Sequence, residues 1–270
     1  MSVQLFLATV TANPNYLYKY TNSFAEMSDS PVPLIVFCNG VEPDLEQISK
    51  KFESVTLLKA EKNLGVTVPL HRIYEHLKAA GAKDSDVICY IHDDVIVHER
   101  GWEKRVRDAF ADPKIGLGGF SGALGLGSPD IYRKPYDFFH MLRYDFTSNL
   151  VNAEAHGKRT TKDIPIVTVD GYSMFVRMEL LNKIGGWSWY PSPHHGYDDA
   201  IACQNRKHGY RGRLVACRSE HLSGGTSGGA AYIELAKDFG GDQKIHNDAN
   251  RWLYDTFRGV LPFRVSSSER

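Results

Sequence analysis

Apolar residues in the N-terminal half of the chain come alternately in continuous runs and in spaced positions. Residues 3–10 (VQLFLATV), 32–38 (VPLIVFC), 54–59 and 86–91 (DVICYI) are continuous runs of strand length, as expected of strands covered on both faces. Between them, 15–27 and 44–52 read as helices, with Asp44 placed to favour the second helix's N-terminus. In LHRIYEHLKAA, Leu70, Ile73, Tyr74 and Leu77 share one helical face, Pro69 suits the first turn and Gly81 ends the helix. Asn39-Gly40 closes the second strand as a turn. Strand–helix units repeated in this way predict an α/β fold with a mostly parallel sheet flanked by helices.

The second half is less regular. IGLGGFSGALGLGS is glycine-rich but lacks the G-x-G-x-x-G register, so no dinucleotide fingerprint is assigned. Its stretch 116–128 suits either a loop closing over a ligand or tight turns beside the sheet. Residues 129–164 interleave aromatic and basic side chains without clear periodicity. A strand over 164–169, helices near 178–184 and 199–208, a strand near 212–217 and a helix over 247–258 with Trp252, Leu253 and Phe257 complete the pattern. No repeat or linker interrupts it, which predicts one domain over 1–265 and a frayed tail over 266–270.

Composition narrows the function. A hydrophobic share of 42% and a charged share of 24% are those of a globular protein. Thirty-two basic residues balance thirty-two acidic ones, which removes the simplest electrostatic case for a dedicated nucleic-acid or membrane-surface binder but leaves room for a local basic patch. No apolar run approaches the roughly 20 residues that span a bilayer. The start, MSVQLFLATVTA, has no basic residue before Lys19 and reads as a first strand rather than a leader. Cys38, Cys89, Cys203 and Cys217 form no C-x-x-C pair, and three sit in apolar runs, the pattern of buried reduced thiols in a cytoplasmic protein.

Three clusters carry candidate chemistry. In IHDDVIV, Asp93 and Asp94 follow an apolar strand with His92 beside them, at the strand end where open parallel sheets bind ligands. Carboxylates with an imidazole there suit Mg2+ or Mn2+ holding a diphosphate; exposed acids at a turn would look the same. In PSPHHGYDDAIACQNRKHGY, Asp198 and Asp199 fall at a helix start, where acids either complement the dipole or provide a general base, and Gly196 lets the backbone approach a ligand. In SEHLSGGTSGG, a histidine at a strand end precedes a glycine loop able to wrap phosphates.

Taken in order along the chain, these segments resemble the metal-dependent glycosyltransferases of the GT-A fold, in the large family-2-like group that uses nucleotide-sugar donors. The resemblance spans roughly residues 3–225. It rests on Asn63 and Gly65 before a helix, IHDDV in place of a DxD motif, VDGYSMFVRMELLNKIGGW, and HHGYDDAIACQNRKHGYR followed by HLSGGT. It implies a Rossmann-like, mixed but mostly parallel central sheet. It also implies a metal site at Asp94 and His221 for Mn2+ or Mg2+, with Asp198 as the base that deprotonates the acceptor. The nucleotide-sugar, a UDP-sugar in the first instance, is implied to contact Thr9, Val10, Thr11, Asn39, Asn63, Gly65, Arg72, His92, Asp93, Asp170, Gly171 and Trp187. Three positions depart from the family pattern: His92 replaces the first acid of the DxD motif, Tyr197 a glutamate, and Ala200 a second acid.

One carboxylate base suits a single displacement with inversion. A glycan or lipid-linked sugar is the default acceptor. The aromatic and basic residues Phe120, Tyr132, Arg133, Lys134, Tyr136, Phe138, Phe139, Arg143 and Tyr144 also admit a hydroxylated base in DNA, although net neutrality weighs against it. A sugar-phosphate nucleotidyltransferase would need a glycine-rich basic loop after the first strand, where this chain has TANPNYLYK. An inactive sugar-binding protein is the remaining alternative.

Overall fold

A computed structural model describes residues 3–127, 143–151, 157–222 and 229–267. The N-terminal half follows the predicted alternation: β1 (Leu5–Thr11), α1 (Pro14–Glu26), β2 (Leu34–Asn39), α2 (Leu45–Ser49), β3 (Val55–Ala60), α3 (Thr67–Ala79) and β4 (Val87–Ile91). Asn13 caps α1 and Asp44 caps α2 through side-chain bonds to backbone amides. Then come β5 (Val95–Val97), α4 (Trp102–Phe110), β6 (Ile115–Gly119), β7 (Ser121–Leu126), β8 (Arg143–Ser148), β9 (Lys158–Arg159), β10 (Ile164–Ile166), β11 (Thr168–Val169) and β12 (Ser173–Arg177). The chain continues through α5 (Met178–Ile184), α6 (Tyr197–Lys207), β13 (Arg211–Leu214), β14 (Ser219–His221), α7 (Ala230–Asp238), α8 (Asp242–Thr256) and β15 (Phe263–Arg264).

The central sheet has the order β10-β13-β6-β12-β4-β1-β2-β3. Strands β3, β2, β1 and β4 are mutually parallel, β12 runs antiparallel between β4 and β6, and β10 is an antiparallel edge. Every residue of β2 and β4 is buried, because helices cover both faces. On one face pack Leu17, Tyr20 and Phe24 of α1, Ile48 of α2, and Val106 and Phe110 of α4. The other face receives Ile73 and Leu77 of α3, Leu181 of α5, Ile201 of α6 and Leu253 of α8. The periodic face read in α3 is thus its buried face.

The glycine-rich stretch is neither a closing loop nor a set of turns. Through Gly127 it forms β6, in the central sheet, and β7, the centre of a second sheet with β11, β8, β9 and β15. Its glycines allow close strand packing: a Cβ on Gly122 would lie 2.3 Å from the Thr168 carbonyl oxygen. The single strand expected over 164–169 is two strands, β10 and β11, in different sheets, and the last helix begins at Asp242 rather than 247. All four cysteines are buried and free. No helix among the described residues is long and apolar enough to cross a membrane.

Candidate active site

Strand β4 ends at Ile91, and His92, Asp93 and Asp94 form the turn into β5. β5 pairs antiparallel with β14, with Val95 opposite His221, and this two-stranded ribbon brings His221 beside the acids. His221 Nε2 lies 3.1 Å from Asp94 Oδ1, and the His221 ring stacks on buried Tyr172 at 5.0 Å between centroids. His92 completes the group: one ligand atom from each of His92, Asp94 and His221 lies within 4.8 Å of the others. Two ligands at right angles, each about 2.1 Å from an ion, stand about 3 Å apart, so the Asp94–His221 spacing suits a shared divalent cation. A carboxylate with two imidazoles is a donor set suited to Mn2+. Burial raises the Asp94 pKa, but the His221 hydrogen bond and the two imidazoles outweigh it, so the carboxyl stays below its ordinary value and ionised. Burial also lowers the pKa of His92, which favours the neutral, metal-binding ring.

The other predicted residues divide into those that line a site and those that do not. A groove beside the ends of β1, β2 and β4 is lined by Thr9, Val10, Asn39, His92, Gly171 and Tyr197, among others. Thr9 Oγ1 is buried there without a hydrogen-bond partner, a feature that suits a polar ligand atom. Asn39 lines the groove and is fixed by the loop that carries Asn63. Asn39 Nδ2 donates to Asn63 Oδ1 at 3.1 Å and to the Gly65 carbonyl at 2.8 Å, while Gly65 N donates to Asn63 Oδ1 at 2.8 Å. Gly65 has φ +77°, and a Cβ there would sit 2.2 Å from the Pro193 carbonyl oxygen.

Three of the predicted residues do not line the groove. Asp93 is 4% exposed and accepts a 2.6 Å hydrogen bond from Thr11 Oγ1, so these two side chains satisfy each other inside the fold; burial pushes the Asp93 pKa up to about 7. Trp187 is 2% exposed and packs against Tyr90, Trp189 and Tyr197, the last of which lines the groove. Arg72 lies on the exposed side of α3, 5.9 Å from the Phe37 ring centroid and outside the groove.

Next to the groove, a cleft of about 330 Å³ is lined by His92, Arg143, Asp170, Gly171, the segment from His194 to Asp199, His246 and Asn250. His92, Gly171 and Tyr197 line both spaces, and the Tyr197 hydroxyl is 3.0 Å from His92 Nε2. A Cβ on Gly171 would lie 2.5 Å from that hydroxyl, so only glycine fits here. α6 begins at Tyr197, which places Asp198 and Asp199 in its first turn, where free amides stabilise carboxylates.

Arg143, at the start of β8, grips both acids. Its Nη2 is 2.6 Å from Asp198 Oδ2, its Nε 3.1 Å from Asp199 Oδ1, and its Nη1 3.8 Å from Asp170 Oδ2. Asp198 Oδ2 also accepts from Gly171 N at 2.8 Å, and Asp199 Oδ1 from Thr168 Oγ1 at 2.8 Å. Asp199 is pushed up to about 6 by burial, and Arg143 opposes the rise. The sequence offered no sign of this clamp, because Arg143 lies in the segment without periodicity. Tyr132, Arg133, Lys134, Tyr136, Phe138, Phe139, the Tyr144 side chain and most of the SGGTSGG loop lie outside the described residues. Phe120 is core.

No protein-family model matches the sequence, and no curated protein matches it. Solved structures do match. One is the mannosyltransferase PcManGT from Pyrobaculum calidifontis in complex with GDP-Man and Mn2+: TM-score 0.52, 14% identity, over 97% of this chain and 74% of that one. Another is GalNAc-T7 with UDP, GalNAc and Mn2+: TM-score 0.57, 12% identity, over 96% of this chain and 57% of that one. A third is TarS of S. aureus: TM-score 0.50, 14% identity, over 79% and 58%. The chain therefore spans little more than half of the last two. At these identities the likeness establishes the fold: the GT-A arrangement of a mixed, mostly parallel sheet flanked by helices.

Proposed function

We propose that this chain is a metal-dependent glycosyltransferase, with 1–265 as its catalytic domain, that moves a sugar from a nucleoside diphosphate to an acceptor hydroxyl with inversion. The observation that carries the reading is the meeting of the His92–Asp94–His221 cluster and the Arg143-held Asp198 on either side of Tyr197 and Gly171. That junction lies at the carboxyl end of β4, the end of the sheet where such folds bind ligands. The mannosyltransferase and GalNAc-T7 structures were solved with a nucleotide and Mn2+, which supports the donor class. The buried free thiols support a reducing, cytoplasmic setting.

The chemistry follows from the side chains. Thr9, Val10 and Asn39 line the groove for the nucleotide, with a UDP-sugar the first donor to test. His92, Asp94 and His221 would hold the divalent ion, which when bound neutralises charge on the departing diphosphate. Asp198 Oδ2 is engaged by Arg143 and Gly171 N, while Oδ1 accepts, among the described residues, from Asp199 N at 2.9 Å, which leaves a lone pair for the acceptor hydroxyl. Asp198 takes the hydroxyl proton, the acceptor oxygen bonds to the anomeric carbon, and the C–O bond to the diphosphate breaks with its electron pair leaving on phosphate. One displacement inverts the centre.

Calorimetry of UDP and GDP binding with and without Mn2+ tests the donor half. Binding that needs the metal, and is lost in Asp94→Ala, is expected. Proton NMR of the first-formed product tests the stereochemistry, and a retained anomeric configuration would exclude Asp198 as the base of a single displacement.

A further inference from the structure

The cleft beside Asp198 is bounded by a helix that lies outside the region of family resemblance. On α8, Asp242, His246 and Asn250 recur every fourth residue and so share one face. His246 and Asn250 line the cleft, with His194 and His195 from the segment before α6. His195 is held in place, since its Nε2 lies 2.6 Å from Asp242 Oδ1, which also accepts from the Tyr232 hydroxyl on α7. His194 is nine-tenths buried between the rings of His195 and Tyr232, and its Nδ1 has no hydrogen-bond partner. His194 thus brings a buried, unpartnered ring nitrogen to the wall of the cleft.

Charge decides what kind of ligand. Among the described residues at the cleft, Asp170, Asp198 and Asp199, with Asp242 behind His195, face a single guanidinium, Arg143. Burial pushes the His194 pKa down to about 3, so near neutrality this ring adds no positive charge. The cation held by Asp94 would be offset by the donor's own diphosphate. Among the described residues, a phosphate brought in by the acceptor would therefore meet more carboxylates than cations, and like-charge contact in a partly desolvated cleft is unfavourable. Asn250 Nδ2 stands 3.2 Å from His246 Nδ1, so the two side chains form one polar pair on the cleft wall, and imidazole and carboxamide are the group types that pair with the hydroxyls of a neutral sugar. The volume of about 330 Å³ sits at the small end of the range for ligand sites, roughly 300–1,000 Å³.

We propose that α8 supplies the acceptor-recognition wall of this protein: His246 and Asn250, facing His194 and His195, bind a neutral, hydroxyl-rich acceptor, and the surrounding carboxylates turn away phosphate-bearing ones. This rests on the transferase reading of the same site. It makes a terminal sugar of a glycan the acceptor class and disfavours the phosphate-lined base of a nucleic acid.

Saturation-transfer NMR on the full chain, with Mn2+ and UDP or GDP present, tests it. The probes are a panel of neutral disaccharides, the same disaccharides carrying a 6-phosphate, and a single-stranded DNA 12-mer. At least one neutral disaccharide should bind, its phosphorylated form roughly tenfold more weakly or not at all, and the DNA not at all. His246→Ala and Asn250→Ala should each weaken the neutral ligand by roughly tenfold, the loss expected for a buried hydrogen bond, with nucleotide binding unchanged. His246 is only half-buried, so its variant keeps the test open if Asn250→Ala fails to fold. Phosphorylated ligands or DNA binding as well as neutral sugars, no neutral ligand bound while the nucleotide binds normally, or neutral binding indifferent to both substitutions would each overturn the proposal. Absence of nucleotide binding in the unsubstituted protein would fail the transferase reading first, and this one with it.

Discussion

Replacing Arg143 by methionine keeps most of its apolar bulk and removes the only cation among the described residues lining the cleft. In the intact protein that guanidinium stands 2.6 Å from Asp198, 3.1 Å from Asp199 and 3.8 Å from Asp170. The Asp199 side chain is 4% exposed, so solvent cannot take the place of the lost partner. Breaking a buried pair by removing one member costs about 3–5 kcal/mol, a large share of a typical stability of about 5–15. For a chain of this size, about 2–4 °C per kcal/mol converts this to a fall in Tm of about 6–20 °C. The sign of the pH dependence follows from Asp199. Burial already holds its pKa near 6 with Arg143 in place, and without the cation it moves higher. A carboxyl whose folded pKa is raised costs stability as pH rises from its unfolded value, about 3.9, to its folded value, and the cost levels off above that, so the extra cost in the variant builds up above pH 6, where the wild-type cost has levelled. The deficit of Arg143→Met should therefore be small at pH 5 and largest at pH 8. Arg143→Lys, which keeps the charge but loses the fork, should fall between. Scanning fluorimetry of the three proteins from pH 5 to 8 measures this. An unchanged Tm at pH 8, or a deficit that grows toward acid, would refute the clamp.

Gly65→Ala places a Cβ against the Pro193 carbonyl in a left-handed turn, and should cost about 2 kcal/mol or more in urea denaturation; wild-type stability would mean the loop does not rest on Pro193. His194 stays neutral down to about pH 3 when folded, whereas the unfolded ring takes a proton near pH 6.5. Stability is therefore lost as pH falls below 6.5, by about 2 kcal/mol at pH 5, and His194→Gln should remove that part of the dependence. Parallel pH profiles for the two proteins would contradict it. Asp198→Asn should reduce transfer by about 10²–10⁴-fold while nucleotide affinity stays within twofold of wild type (roughly the noise of such a comparison). Equal rates in steady-state assays would move the base elsewhere.

Of the first four strands, β1, β2 and β4 were legible because each is a continuous apolar run buried on both faces. β3 shows the exception, since it lies at the sheet edge and is only half-buried. β6 and β7 were not legible, since glycines carry no side chain by which a period of two can be read. Asp94 and His221 could be found because a polar residue at the end of an apolar strand marks a ligand-binding edge. What gathers them, the β5–β14 ribbon, joins segments 122–126 positions apart, a spacing that no local pattern reports. His92 was read toward the nucleotide, and only that ribbon reveals its place beside both metal candidates. Arg143 was hidden for the same reason, with partners 55 and 56 residues away. The recognition face of α8 was cut in two by starting the helix at 247, which left Asp242 and His246 outside it.

On the proposed reading, this chain breaks a nucleotide-sugar at a metal held by His92, Asp94 and His221. That cleavage is tested most directly by incubating the protein with UDP-, GDP-, dTDP- and CMP-sugars, with and without Mn2+, beside Asp94→Ala, and measuring freed nucleotide together with nucleotide binding. Metal-dependent release or binding for one nucleotide class, lost in Asp94→Ala, is the predicted result. Release that needs no metal, or an Asp94→Ala protein as active as the wild type, would contradict it.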